Sequence, residues 1–79
     1  MRIVEVGWND AWSEDNDDLI EETIADMHGP LFQLSVGYEV VNDDKGVSLA
    51  ETRDEDGGFH HVTFIPAGMI LSITALKRV

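Results

Sequence analysis

The strongest constraint on the fold lies in residues 59–73, where two short apolar segments meet at Pro66, Ala67 and Gly68. Proline has no amide hydrogen to donate to a sheet, and glycine adopts backbone angles that other residues avoid. The tripeptide therefore predicts a corner at which strand pairing stops and then resumes. Small β-barrels turn in this way between their last two strands, so the segment predicts a barrel-like end to the chain.

The other strands are predicted from the alternation of apolar and polar residues. Polar turns that contain glycine, at residues 42–46 and 54–58, separate the later strands as hairpins. In the second strand the apolar side chains recur at every second position, so we expect one buried face: Phe32, Leu34, Val36, Tyr38 and Val40. The predicted strands cover residues 2–8, 32–40, 47–53, 59–65 and 69–76.

One α-helix is predicted after the first strand, over about residues 17–28. Its apolar positions recur at intervals of three and four, which predicts one buried stripe: Leu19, Ile20, Thr23, Ile24 and Met27. We expect the helix to end at Gly29 and Pro30 and to be capped at its start by one of three residues, namely Asn16, Asp17 or Asp18. The order of elements predicts a single, mainly β domain of residues 1–79, a five-stranded barrel of the SH3-like or Sm-like kind whose closure removes free strand edges.

Length and charge limit the functions that this chain can have. A chain of 79 residues has a small core, so we expect its copies to associate as a homo-oligomer. The net charge of −11 repels nucleic acids and anionic membranes and favours cationic partners. Cysteine is absent, and no long apolar segment or signal peptide is visible. We therefore expect a cytoplasmic protein of the host cell that binds neither nucleic acid nor membrane.

The acidic residues fall into an early cluster and a hairpin cluster, and we expect both to be exposed. They serve solubility, or they form a surface that imitates the phosphates of a nucleic acid or covers a basic protein. The predicted acidic surface consists of Asp15, Asp17, Asp18, Glu21, Glu22, Asp54, Glu55 and Asp56.

Several segments resemble small phage-encoded proteins with an Sm-like barrel. The resemblance is carried by residues 6–13, 36–40, 47–50 and 64–70, with a tryptophan-aspartate start, a glycine-aromatic strand and an isoleucine-proline corner. It implies the barrel fold and a phage or prophage origin. No functional residue is implied by it.

No catalytic or metal-binding pattern is present in the sequence, so we predict neither an enzyme nor a cofactor. Nucleophile turns, phosphate-binding loops and nucleotide-binding glycine runs are missing. His60 and His61 are adjacent, and adjacent strand residues point to opposite faces, which argues against a metal site. The run from Asp54 to Gly57 lacks the oxygen spacing of a calcium loop.

Six residues are candidates for binding a ligand or partner. Trp8 and Trp12 flank the transition from strand to loop, where aromatic side chains line a groove or pack in the core or between subunits. Cationic or titratable side chains in the hairpin half would have to bind any anionic ligand, and they could converge at a subunit interface: Lys45, Arg53, His60 and His61.

Three functions stay open at this point. The first is a noncatalytic counter-defence inhibitor that masks a host protein with a basic surface. The second is a homo-oligomer that sequesters a small signalling nucleotide between subunits, and the third is a structural adaptor. We expect the first, because of the charge, the small size and the resemblance to phage proteins.

Overall fold

A computed structural model describes residues 1–15 and 17–77, and these form one antiparallel sheet of five strands with a single α-helix. The prediction of a mainly β chain with one helix after the first strand is confirmed. The strands lie in the order β4-β3-β2-β1-β5. The elements are β1 (Ile3–Asp10), α1 (Glu21–Met27), β2 (Leu31–Asp43), β3 (Gly46–Arg53), β4 (Phe59–Pro66), a 3₁₀ helix (Ala67–Met69) and β5 (Ile70–Leu76).

The predicted corner between the last two strands is confirmed. Pro66 ends β4, and one turn of 3₁₀ helix leads into β5. The amide of Ala67 donates a 3.0 Å hydrogen bond to the carbonyl oxygen of Lys45, in the turn between β2 and β3. That turn is itself held by the Lys45 amide, which donates to Asp43 Oδ1 at 2.9 Å. The two turns therefore brace each other at one end of the sheet.

The predicted closure of a barrel is not seen among the described residues, because β4 and β5 are the two outer strands and do not pair. The pairing of β2 with β3 ends at Tyr38 and Ala50, so residues 31–37 of β2 pair with β1 alone. The two halves of the sheet diverge beyond that point. The radius of gyration is 16.1 Å, whereas a compact chain of this length has about 12 Å.

The core lies on the face of the sheet that β1 presents through Val4 and Val6. Val4 pairs with Gly37 and Val6 with Ser35, and paired residues share a face. The core cluster on this face consists of Val4, Val6, Val47, Leu49 and Ile65, and Ala50 is buried on the opposite face, where it pairs with Tyr38. Trp8, Ile70 and Ile73 pack against this core half-buried.

The predicted buried face of β2 is wrong. Phe32, Leu34 and Val36 are 55%, 59% and 53% exposed, and Tyr38 and Val40 are half-buried. The register with β1 turns Gly37 and Ser35 toward the core instead. The odd-numbered face, which looked suited to solvent, therefore covers the core, and the apolar face is left open.

The helix differs from its prediction at its start and in its burial. It begins at Glu21, and its N-cap, Ile20, provides no capping side chain. Asp17 and Asp18 lie in a turn, as expected of side chains that compete with helical hydrogen bonds; Asn16 lies outside the described residues. No residue of the helix is buried, so the predicted buried stripe is wrong.

The end of the helix is as predicted, since the chain leaves it at His28 and Gly29 has a φ of 149°. The helix has seven residues. In the part of the chain that the structure describes, no helix is long and apolar enough to cross a lipid bilayer.

A bidentate ion pair joins the start of the chain to β2. Arg2 Nε donates to Glu39 Oε1 at 2.7 Å, and Arg2 Nη2 donates to Glu39 Oε2 at 2.8 Å. Asn42 donates a third hydrogen bond of 3.2 Å to the same carboxylate. The hydrogen bond from Arg2 is the main reason why the pKa of Glu39 lies below its ordinary value.

We expect this ion pair to make the stability depend on acid pH. A carboxyl whose pKa is lowered by folding stabilises the fold above its unfolded pKa, and that contribution is lost as the pH falls through the folded pKa. Urea unfolding at neutral and acid pH should show the loss. An Arg2→Gln variant should be less stable at neutral pH and should lose less stability on acidification. The same loss in both proteins would contradict the prediction.

Candidate functional site

The two tryptophans that the sequence singled out lie in different environments. Trp8 is half-buried against the core, and its Nε1 donates to Ser35 Oγ at 2.9 Å. Trp12 is 41% exposed in the loop after β1, and its Nε1 donates to the carbonyl oxygen of Gly29 at 2.7 Å. Trp8 therefore packs the fold, while Trp12 joins the loop to the end of the helix and keeps an open ring face.

Trp12 forms one wall of an open, mainly apolar groove of about 460 Å³. This volume is within the range of sites that hold a small ligand or a few side chains. The groove is lined by Ala11, Trp12, Ile24, His28, Gly29 and Pro30. Ile24 and Pro30 were interpreted from the sequence as a core residue and a helix terminator, so only Trp12 pointed to this surface.

One residue of the early acidic cluster lies beside this groove. Glu21 is three residues before Ile24 on the helix, and residues at that spacing occupy the same side. The five early residues of the predicted acidic surface are all exposed: Asp15, Asp17, Asp18, Glu21 and Glu22. The groove is thus an apolar surface with the Glu21 carboxylate beside it, next to a segment rich in exposed carboxylates, which suits a partner that is both apolar and cationic.

The second acidic cluster lies far along the chain, at the turn between β3 and β4. Asp54, Glu55 and Asp56 are exposed there. Asp54 Oδ2 lies 2.8 Å from His60 Nε2, and the Asp54 amide donates to the Gly58 carbonyl oxygen at 2.7 Å. Asp54 therefore takes part in the turn itself.

The predicted cationic residues do not all come together. Lys45 precedes the eight-residue β3 and Arg53 ends it, which separates them by about 25 Å at about 3.3 Å per residue. Arg53 and His60 share one end of the hairpin, where Arg53 pairs with Phe59 and Thr52 pairs with His60. The Arg53 guanidinium lies 5.4 Å from the centroid of the Tyr38 ring.

His61 lines a second, smaller cleft at the place where β2 and β3 diverge. Its φ of 54° is unusual for a residue other than glycine and lies within β4. The cleft has a volume of about 160 Å³ and is lined by Ser35, Val36, Leu49, Ala50, Glu51, His61 and Thr63. Sequence reasoning missed two lining residues: Ser35, which enters the cleft where β2 leaves β3, and Glu51, which lies opposite His61 in the hairpin of β3 and β4.

Among the described residues, no group of three or more His, Asp and Glu side chains is arranged to hold a metal ion.

Comparison of the chain with protein-family models, with curated proteins and with solved structures finds no match. Among the described residues, the apolar groove at Trp12 is the surface best built to contact a partner.

Proposed function

We propose that this chain is a noncatalytic binding protein of phage or prophage origin that inhibits a host defence factor by covering a basic surface of that factor. The observation that carries the proposal is the apolar groove at Trp12, with Glu21 on the same side of the helix as Ile24 and further exposed carboxylates nearby in the sequence. The phage origin rests on the sequence resemblance. The same resemblance and the strand order support an Sm-like or SH3-like barrel that is open between β4 and β5.

The apolar groove and the exposed carboxylates have separate roles in this proposal. Exposed tryptophans in partly apolar pockets are frequent anchors of protein interfaces, and a Lys or Arg side chain stacks favourably on an indole ring. Glu21 and the other exposed carboxylates of the early cluster attract a cationic partner over a longer distance and speed the encounter. The net charge of −11 acts in the same direction. We therefore expect the affinity for the partner to depend on Trp12 and the association rate to be highest at low salt.

A labelled peptide of alternating lysine and leucine is a defined probe of this surface. We expect the wild type to bind it, and Trp12→Ala to weaken binding about tenfold, since a lost aromatic anchor costs more than about 1 kcal/mol. Fluorescence anisotropy at low and high salt measures both effects. Salt should weaken binding, because it screens the attraction between opposite charges.

A charge-matched pair of variants separates the groove from the overall charge. Glu21→Gln/Glu22→Gln removes two negative charges from the helix that contributes Ile24 to the groove, and Glu55→Gln/Asp56→Asn removes two at the hairpin. We expect the first variant to weaken peptide binding and the second to leave it nearly unchanged. Equal losses, or a Trp12→Ala variant that binds like the wild type, would show only nonspecific attraction to an acidic chain.

A second candidate function is the sequestration of a small signalling nucleotide by a homo-oligomer. It is favoured by the Arg53 guanidinium over the Tyr38 ring, with His60 at the same end of the hairpin, because phosphate and base groups bind to such cationic and aromatic side chains. Native mass spectrometry of the protein recovered from host cells distinguishes the candidates. A retained nucleotide favours sequestration, a host protein favours masking, and a bare oligomer favours a structural adaptor.

A further inference from the structure

The apolar face of the sheet that points away from the core is largely uncovered among the residues that the structure describes. We call it the outer apolar face and define it by Phe32, Leu34 and Val36 of β2 with Val62 and Phe64 of β4. All five side chains are more than half exposed. The side chains named for β2 and β4 lie on the same face of the sheet, because Tyr38 pairs with Ala50 and Ala50 pairs with Val62.

We propose that the outer apolar face is the interface of a homodimer, in which the same face of a second copy covers it. The proposal goes beyond the masking function, and either can fail without the other. A strand that alternates regularly between apolar and polar residues normally buries its apolar side. Here the fold of one chain buries the other side, so burial of this face requires a second molecule.

The exposed surface of the whole chain exceeds that of a compact monomer by more than one side of a dimer interface needs. The chain exposes 6060 Å², whereas folded monomers of this mass expose about 4,800 Å². The excess of roughly 1,300 Å² per chain exceeds the about 800 Å² that each partner contributes to a stable interface. Exposed apolar patches of this kind are rare on monomers. The area is therefore available without any change in the fold.

The composition of the face favours a second copy over an unrelated partner. Its five defining residues carry no charge, and polar side chains lie at its border on β1 and β5, where Glu5 and Thr74 share a row with Val36. Permanent interfaces between identical chains are the most apolar class, whereas transient interfaces are more polar. The ring of Phe32 lies over Gly7. Because glycine has no side chain, Gly7 does not cover the ring.

Charge makes the salt dependence of this dimer distinctive. Each copy carries a net charge of −11, so the two copies repel each other and salt reduces the repulsion. Added salt should therefore strengthen the dimer. Binding of the exposed carboxylates to a cationic partner should instead weaken as salt is added. One salt titration therefore separates the two interactions.

Sedimentation velocity over a wide range of protein concentration tests the proposal. For the wild type, we expect the molecular mass obtained from sedimentation to be twice the subunit mass of 8.8 kDa. Leu34→Gln should raise the dissociation constant about 50-fold, because each dimer loses two buried leucines. The control is Ile20→Gln, which changes a residue that is 61% exposed at the start of the helix, off the sheet. It should dimerise like the wild type.

Unfolding measurements keep the test decisive if Leu34→Gln fails to fold. A melting temperature of the wild type that rises with protein concentration supports the dimer, because association stabilises the folded chain. A wild type that stays monomeric overturns the proposal. So does an oligomer that Leu34→Gln leaves intact, or a failure of Leu34→Gln to fold together with a melting temperature that is independent of concentration.

Discussion

Replacing Gly46 with alanine is expected to destabilise the folded chain by more than about 4 kcal/mol and to leave it unfolded under ordinary conditions. Gly46 is buried at the start of β3, with a φ of 151° that side chains rarely adopt. A Cβ there would fall on the carbonyl oxygen of Ile65 and reach the backbone of Pro66 at 3.0 Å. Backbone atoms cannot rotate away, so the turn that braces the corner would have to open.

Other glycines of the chain provide matched controls for this substitution. Gly57 has a φ of 96°, but no atom lies within 4 Å of the position that a Cβ would occupy, so Gly57→Ala should cost only the backbone strain, about 1–2 kcal/mol. Gly68 has neither constraint, and Gly68→Ala should be nearly neutral. Urea unfolding followed by circular dichroism ranks the three variants. Equal stability of Gly46→Ala and Gly57→Ala would contradict the steric argument.

Replacing Ile65 with alanine is expected to lower the free energy of unfolding by about 3–4 kcal/mol. Ile65 is fully buried on β4, paired with Val47, and it belongs to the small cluster that joins β1, β3 and β4. A core with few members cannot close easily over the cavity that the shorter side chain leaves. Loss of this much free energy removes most of the stability of a small domain.

Two variants calibrate that result. Ile65→Val removes one methyl group and should cost about 1 kcal/mol, while Ile20→Ala changes an exposed residue and should cost little. Tryptophan fluorescence is a suitable probe of urea unfolding, because Trp8 packs against the same core. A cost of Ile65→Ala that matches the cost of Ile20→Ala would mean that the described core does not support the fold.

The strands and turns of this protein are predictable from short segments of its sequence. Glycine with polar neighbours marks both hairpin turns, and Pro66 marks the corner, because in any fold glycine allows backbone angles that other residues avoid and proline restricts them. Gly29 and Pro30 mark the end of the helix for the same reason. The start of the helix was harder to predict, since several aspartates could cap it and the N-cap position is instead Ile20.

The orientation of β2 shows why local pattern is insufficient. Alternation reveals that Phe32 and Leu34 share a face, but it does not reveal which face meets the core. That choice depends on the neighbouring strand, where Val4 and Val6 lie opposite Gly37 and Ser35. Small side chains on β2 leave room for the valines of β1. The apolar face is exposed as a result of pairing between segments that lie far apart in the sequence.

The candidate site, like the fold, was predictable from the sequence only in part. Residue type identified Trp12 and the acidic residues as suited to binding, because an indole ring and carboxylates have that chemistry in any fold. Tertiary structure decided that Trp8 packs in the core, that Trp12 meets Ile24 across a groove, and that Lys45 lies far from Arg53. Side-chain chemistry and local backbone preference belong to the sequence, whereas the meeting of distant side chains depends on strand register and on where paired strands diverge.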